Sequence, residues 1–498
     1  MPAFTDDKNR HIIPRWRSLW RTASLEELSS ISPAPAPTAP PALSTKLADF
    51  RLHPSASFAA DLVATAFMAG KIEEVRTAVD TLQRDDRAEL AVARSLLDYS
   101  VRARGGRSTV VDGAGLFSRA DIAGLKASTR LYCRNSLAWS DLALAYETLG
   151  FTQQASRAMA IALQLAPRDR YVLRCASRMY NHHDDYIRAQ QVLLESGMAQ
   201  ADPWIMAAEI AAASIVGKTS QFAKKAKTKV EQHAHAPKHL SELASAIATL
   251  EMTHGKLKNA RRLFEVSLAE PTENAIAQAS WAARHATELN TAILHQEIEH
   301  SAEARAWMSM KKGDWEQSLR EAERWLLDQP FSSRPAIHGS YIAAVAMMDY
   351  STSCRLCRQG LIANTHSFGL LNNLTYAEAQ LGHIDDAEKV FGQIEPEQLD
   401  DVQRIVWTAT RGLLLYRRGR SENGRGMYRD AMELARKLHD DYRLALAASH
   451  LALEELAAND SHAGESAKFA MTISSKLDIP DVKCLSERVR KLVGENRK

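Results

Sequence analysis

The chain has 498 residues, 45% of them hydrophobic and 25% charged, and carries a formal net charge of +3. That length exceeds one ordinary core, and near-neutrality argues against a surface that is basic throughout, as for a general nucleic-acid binder. No apolar run long enough for a membrane span and no apolar signal core is present, and the odd, scattered cysteines (Cys133, Cys175, Cys354, Cys357, Cys484) fit a reducing, cytoplasmic compartment.

Residues 1–31 differ from everything after them. Lys8, Arg10, Arg15, Arg17 and Arg21 are opposed only by Asp6 and Asp7 before Glu26, and Trp16, Leu19 and Trp20 are interleaved with them. Read as a helix from Pro14, those three large side chains share one face. Three readings stand: a short helix docked back on the rest of the chain, a docking motif for another protein, or a contact with nucleic acid or an anionic membrane surface. Asp6, Asp7 and Pro14 disfavour a mitochondrial presequence. Residues 32–43, SPAPAPTAPPAL, read as an extended Pro/Ala linker.

From about Ser44 the spacing is helical almost throughout. A degenerate helix pair is predicted over Ala56 to Glu89, with Ala59, Leu62, Val63, Ala66, Val75, Val79 and Leu82 on the contacting faces and Gly70 at the turn. Residues 102–115, rich in glycine, read as a surface loop, and they contain no phosphate-loop pattern. A helix over Ser118 to Cys133 closes this section, residues 44–133.

The clearest pattern lies between Ser136 and Asp169. With Ser136 as position 1, Trp139, Leu142, Ala143, Tyr146, Gly150, Ala155, Met159, Ala162 and Pro167 fall at 4, 7, 8, 11, 15, 20, 24, 27 and 32. Positions 4, 7, 8 and 11 share a face of one helix; 20, 24 and 27 share a face of a second. Small residues at 8 and 20 let the two backbones approach, a glycine suits the turn, and a proline ends the pair. This resembles the tetratricopeptide repeat, with Ala143 and Met159 as mild departures from its Gly and Phe. One period on, Leu173, Ala176, Ser177, Tyr180, Ala189 and Leu193 repeat the spacing.

The register blurs from Trp204 to His235, where Lys224, Lys225, Lys227 and Lys229 read as a solvated helix face. It resumes near Ser241 (Gly255, Ala260, Phe264), near Glu299 (Gly313, Ser318, Ala322, Pro330), over Phe368 to Asp401 (Leu371, Leu374, Gly382, Ala387, Phe391), over Ile405 to Leu438 (Gly412, Gly419, Gly424, Tyr428, Ala431) and over Tyr442 to Ser475. The expected fold is therefore all-α: a right-handed α-solenoid of helix-turn-helix repeats over residues 134–480, an extended segment before it, and a capping helix over 481–498.

No catalytic constellation has the required spacing, so the chain reads as non-enzymatic, with no cofactor and no metal. Cys354 and Cys357 share a helix face and read as core. Asp184-Asp185 and Asp385-Asp386 read as starters of second helices. The His233, His235 and His239 cluster lacks the other ligands that a metal needs. In the repeat family the first helices line a groove that binds protein partners. The resemblance then assigns groove positions to Ser140, Asp141, Leu144, Tyr171, Arg174, Arg178, Trp307, His338, Tyr341, Asn372, Asn373, Tyr376, Tyr416 and Arg417. Arg174 and Arg178, one turn apart, are expected to meet a carboxylate of a partner, and Asn373 a peptide backbone. The candidate partner-binding residues are Arg15, Trp16, Arg17, Trp20, Tyr171, Arg174, Arg178, Asn372, Asn373 and Tyr376.

The expected function is a scaffold that binds a partner protein or peptide in its groove. The run LAWSDLALAYETLG…LAPRDRYVLRCASR also resembles bacterial repeat proteins, which implies an accessory or regulatory subunit of a multi-protein system such as phage defence. The alternative is a nucleic-acid-binding accessory protein that uses the basic N-terminal segment.

Overall fold

The computed structural model describes residues 1–2, 10–17, 41–68, 75–83, 117 and 119–495. Trp20, Leu19 and Arg21, most of the Pro/Ala linker and the glycine-rich loop at 102–115 lie outside the described residues. Among the described residues every regular element is a helix. Pro41 to Leu43, read as the end of the linker, form the first turn of helix Pro41–Leu52.

Helices pair as hairpins in chain order. The repeat at Ser136 is helix Ser136–Thr148 followed by helix Thr152–Leu165. Asn135 caps the first, its side chain accepting from the amides of Leu137 and Ala138. Gly150 takes a left-handed φ of 73° in the turn, and one period on Asp184 takes the same conformation at φ 58°. A short polar side chain tolerates that region at modest cost. Asp185 then caps helix Tyr186–Glu195 by accepting from the amide of Arg188. Ala143, Tyr146, Ala155, Met159 and Ala162 are buried between the paired helices, whereas Trp139 is half-buried and its indole N–H donates to the Cys133 carbonyl at 2.9 Å.

The rule of small residues at positions 8 and 20 shows most sharply where both are glycine. Helices Asp401–Arg417 and Ser421–Lys437 cross at Gly412 and Gly424. A methyl group on Gly412 would lie 3.0 Å from the Gly424 carbonyl oxygen and 2.9 Å from the Tyr428 ring. These helices and Asp441–Ala457 have 17 residues each, against 13 in Ser136–Thr148. The capping box between Asp400 and Gln403 sets the start of the first of them. Helix Pro480–Glu495 follows the last hairpin, with Val482, Leu485 and Val489 buried.

The architecture is an all-α solenoid of helix-turn-helix hairpins. It forms two compact units, one comprising the described residues from Arg10 to Ala304, the other Met1 with Arg305–Lys498. No helix among the described residues is long and apolar enough to cross a membrane.

Candidate peptide-binding grooves

In the first unit, residues 10–17 lie across the first helices of successive repeats. The segment has no helical structure, so the helix expected from Pro14 is absent over Pro14 to Arg17. Proline fixes its own φ and biases the residue before it towards extended backbone. Burial follows the two-residue period of an extended chain: Arg10, Ile12, Pro14 and Trp16 are buried, and the residues between them are half-buried. Trp16 and Ile12 are each 1% exposed.

The bonds to this segment are of two kinds. The first kind reaches its backbone. The Gln278 side-chain amide donates to the Arg10 carbonyl at 2.8 Å, the Asn274 amide to the Ile13 carbonyl at 2.9 Å, and the Tyr171 hydroxyl to the Arg17 carbonyl at 2.6 Å. The second kind is ionic. Arg10 holds both oxygens of Glu303, at 3.1 and 3.0 Å, and also donates to the Gln278 side-chain carbonyl. Arg15 spans Glu303 at 3.1 Å and Glu273 at 2.7 Å, and Arg17 pairs with Glu273. His11 and Ile12 line a small cleft with Ile210, Ala211, Ala246 and Leu250, from helices Pro203–Ile215 and Pro237–Thr253.

Burial alone would push the Glu273 carboxyl up. The Arg15 and Arg17 guanidiniums outweigh it and bring it down to about 2. Burial, then the neighbouring Arg10, lowers the His11 imidazole. Burial foremost raises the Tyr171 hydroxyl well above its ordinary value, so it is a neutral donor.

In the second unit, Met1 is fully buried. Its amino group donates to the Thr410 hydroxyl at 2.8 Å, and that hydroxyl donates back to the Met1 carbonyl at 2.9 Å. The Asn372 side-chain amide donates to the same carbonyl at 2.8 Å. Burial brings the amine down to about 4, against the pull of Glu454. His450, fully buried, is lowered by burial and then by that amino group, and it stacks edge-on against Tyr376.

The residues singled out from the sequence divide accordingly. Arg15, Trp16, Arg17 and Tyr171 come together in the first unit; Asn372 and Tyr376 belong to the second. Arg174 is not open to a partner's carboxylate. It holds both oxygens of the chain's own Glu242, at 2.9 and 3.0 Å, and stacks over Trp204. Arg178, one turn on, is half-exposed. Asn373 is fully buried and donates to the Ser340 hydroxyl at 3.1 Å, while its neighbour Asn372 bonds the Met1 carbonyl. Tyr376 is 2% exposed and packs against the rings of Tyr350 and His450.

Glu273, Asn274, Gln278, Glu303 and Thr410 were not predicted as site residues. Asn274 and Gln278 are one turn apart on helix Glu273–His285, the spacing that could have revealed a polar groove face. Cys354 and Cys357 are buried in a cluster with Leu374 and Ala377, and burial pushes both thiols up to about 12.

No family model matches the chain, and no curated protein matches it. Among solved structures it is similar to yeast Tom70, with a TM-score of 0.31 and 11% identity over 76% of this chain and 92% of that one. It is also similar to a chain of the APC/C hetero-tetramer Cut9-Hcn1, with a TM-score of 0.39 and 11% identity over 90% of this chain and 92% of that one.

Proposed function

We propose that the chain is a non-enzymatic scaffold that binds extended peptide segments of partner proteins along the first helices of its repeats. One observation carries this reading: residues 10–17 already lie extended across five such helices, held at three backbone carbonyls by Gln278, Asn274 and Tyr171. Side chains that bond main-chain carbonyls hold a peptide largely regardless of its sequence, while the carboxylates and the burial of Trp16 supply selectivity. An accessory or regulatory place in a bacterial multi-protein system, phage defence among them, is supported by the resemblance of LAWSDLALAYETLG alone, and a cytoplasmic setting by cysteine usage. Nucleic-acid binding through the N-terminal arginines is the weaker reading, because Arg10, Arg15 and Arg17 are paired with Glu303 and Glu273.

The test is affinity capture with the wild type, with Asn274→Ala/Gln278→Ala, and with Ile187→Ser/Leu327→Ser, which alters exposed apolar side chains. Scaffolding by the groove predicts that the first variant changes the captured partners and the second does not. Identical captures from all three would reject it.

A further inference from the structure

The groove of the first unit is acidic where the segment is basic. Glu273 and Glu303 face it, and each carboxylate is shared by two arginines: Glu303 by Arg10 and Arg15, Glu273 by Arg15 and Arg17. With the segment removed, Glu303 loses Arg10 and Arg15 and Glu273 loses Arg15 and Arg17, so only a cationic replacement restores those pairs. The bidentate contact of Arg10 with Glu303 further favours guanidinium over ammonium. Between the arginines, Ile12, Pro14 and Trp16 are buried at every second residue, Ile12 against Ile210, Ala211, Ala246 and Leu250. The three carbonyl bonds make no demand on the side chains of the occupant.

Resting on the scaffold reading above, we propose that residues 10–17 are a resident competitor. The site they fill is a receptor for an extended, arginine-bearing segment of another protein, with an aliphatic residue, a proline and an aromatic residue at alternate positions between and beside the arginines. In sequence, residues 18–40 join the segment to helix Pro41–Leu52 through a Pro/Ala-rich stretch. A covalently tethered occupant acts at an effective concentration in the millimolar range. A foreign segment of equal intrinsic affinity therefore binds the intact chain weakly until the resident is loosened. Salt weakens both occupants, because the contacts that select them are ionic. Foreign and resident segments cannot be bound together, since they need the same two carboxylates.

The experiment uses the full chain and a fluorescein-labelled peptide with the sequence of residues 8–20, KNRHIIPRWRSLW, read by anisotropy. Three proteins are compared: wild type, Arg10→Ala/Trp16→Ala, and that double variant with Glu303→Lys added. The double variant should bind the peptide at least tenfold more tightly than wild type, and Glu303→Lys should undo most of that gain. Equal binding to wild type and to the folded double variant would overturn the proposal, as would a gain that survives Glu303→Lys. If the double variant does not fold, a protease site placed within residues 34–39 decides. After cleavage, the labelled peptide should displace the N-terminal fragment in gel filtration, and failure to displace it at millimolar excess would overturn competition. Dimers formed by exchange of the segment between copies would also overturn the assignment to another protein. Groove-dependent capture of partners with no peptide competition leaves scaffolding intact and rejects only this inference; loss of both rejects the groove itself.

Discussion

The N-terminal residues are held in two places that differ in kind. Around Met1 the hydrogen bonds among the described residues are neutral or made by a group that burial keeps neutral at pH 7: the Thr410 hydroxyl, the Asn372 amide and an amine brought down to about 4. Around residues 10–17 the contacts are dominated by guanidinium and carboxylate. The first place depends on fit and desolvation, which salt hardly touches. The second depends on charge, which salt and acid both weaken. A chain that must keep a segment in place yet exchange it would place the exchangeable contacts at the second.

The largest effect is expected from Trp16→Ala. Removing a fully buried indole costs about 3–5 kcal/mol, which makes the segment accessible on the order of 100-fold or more as often. Tryptic cleavage after Arg15 and Arg17 should accelerate by that factor, and an unchanged rate would show that Trp16 does not anchor the segment. Glu303→Gln keeps the shape and removes the charge that Arg10 and Arg15 share. Its cost is about 3 kcal/mol by the same readout, and the remaining salt dependence of cleavage should fall. A salt dependence equal to wild type would break the contrast between the two places.

Acid sharpens the same contrast. The Glu273 carboxyl is held below its ordinary value in the folded chain, so its contribution is fully present above pH 4.5 and is lost as the pH falls towards about 2. The protection factors of helix Glu273–His285, exchange rates corrected for the intrinsic pH dependence of amide exchange, should fall over that interval and hold steady from pH 5 to 7. Gly412→Ala acts on the frame rather than on the charges. Its methyl meets the backbone of Gly424, which cannot swing aside as a side chain would, and about 1–3 kcal/mol of destabilisation follows. Exchange should rise in helices Asp401–Arg417 and Ser421–Lys437 and stay unchanged in Glu273–His285. The smallest effect is that of Asn372→Ala, about 1 kcal/mol for one hydrogen bond to the Met1 carbonyl, measured as protection of helix Phe368–Gln380 and independent of salt.

The frame was legible because packing between paired helices imposes a local period. Ala143, Ala155, Gly412 and Gly424 stand at positions where a larger side chain would part the backbones. Trp16, Arg15 and Arg17 were legible as a docking element because a tryptophan among arginines is costly to leave exposed. Their conformation was misjudged. The helical spacing of Trp16, Leu19 and Trp20 outweighed the alternation of Ile12, Pro14 and Trp16, which is the pattern burial follows. Arg174 was placed on the right helix, but its carboxylate comes from Glu242, on another hairpin, for which no local spacing gives a signal. Glu273, Asn274 and Gln278 were missed because helix Glu273–His285 is followed by short helices at Thr287–Leu289 and Ala292–Glu297. The repeat's second-helix pattern is therefore missing there.

The central claim is that the chain's own residues 10–17 occupy the groove of the first unit. A photo-crosslinking amino acid at position 12 tests it directly, with the products mapped by mass spectrometry on isotopically mixed protein. Cross-links within one molecule to Ile210–Ser214 and Ala246–Leu250 are the predicted result. Cross-links to a second copy, or to surfaces outside helices Pro203–Ile215 and Pro237–Thr253, would contradict it.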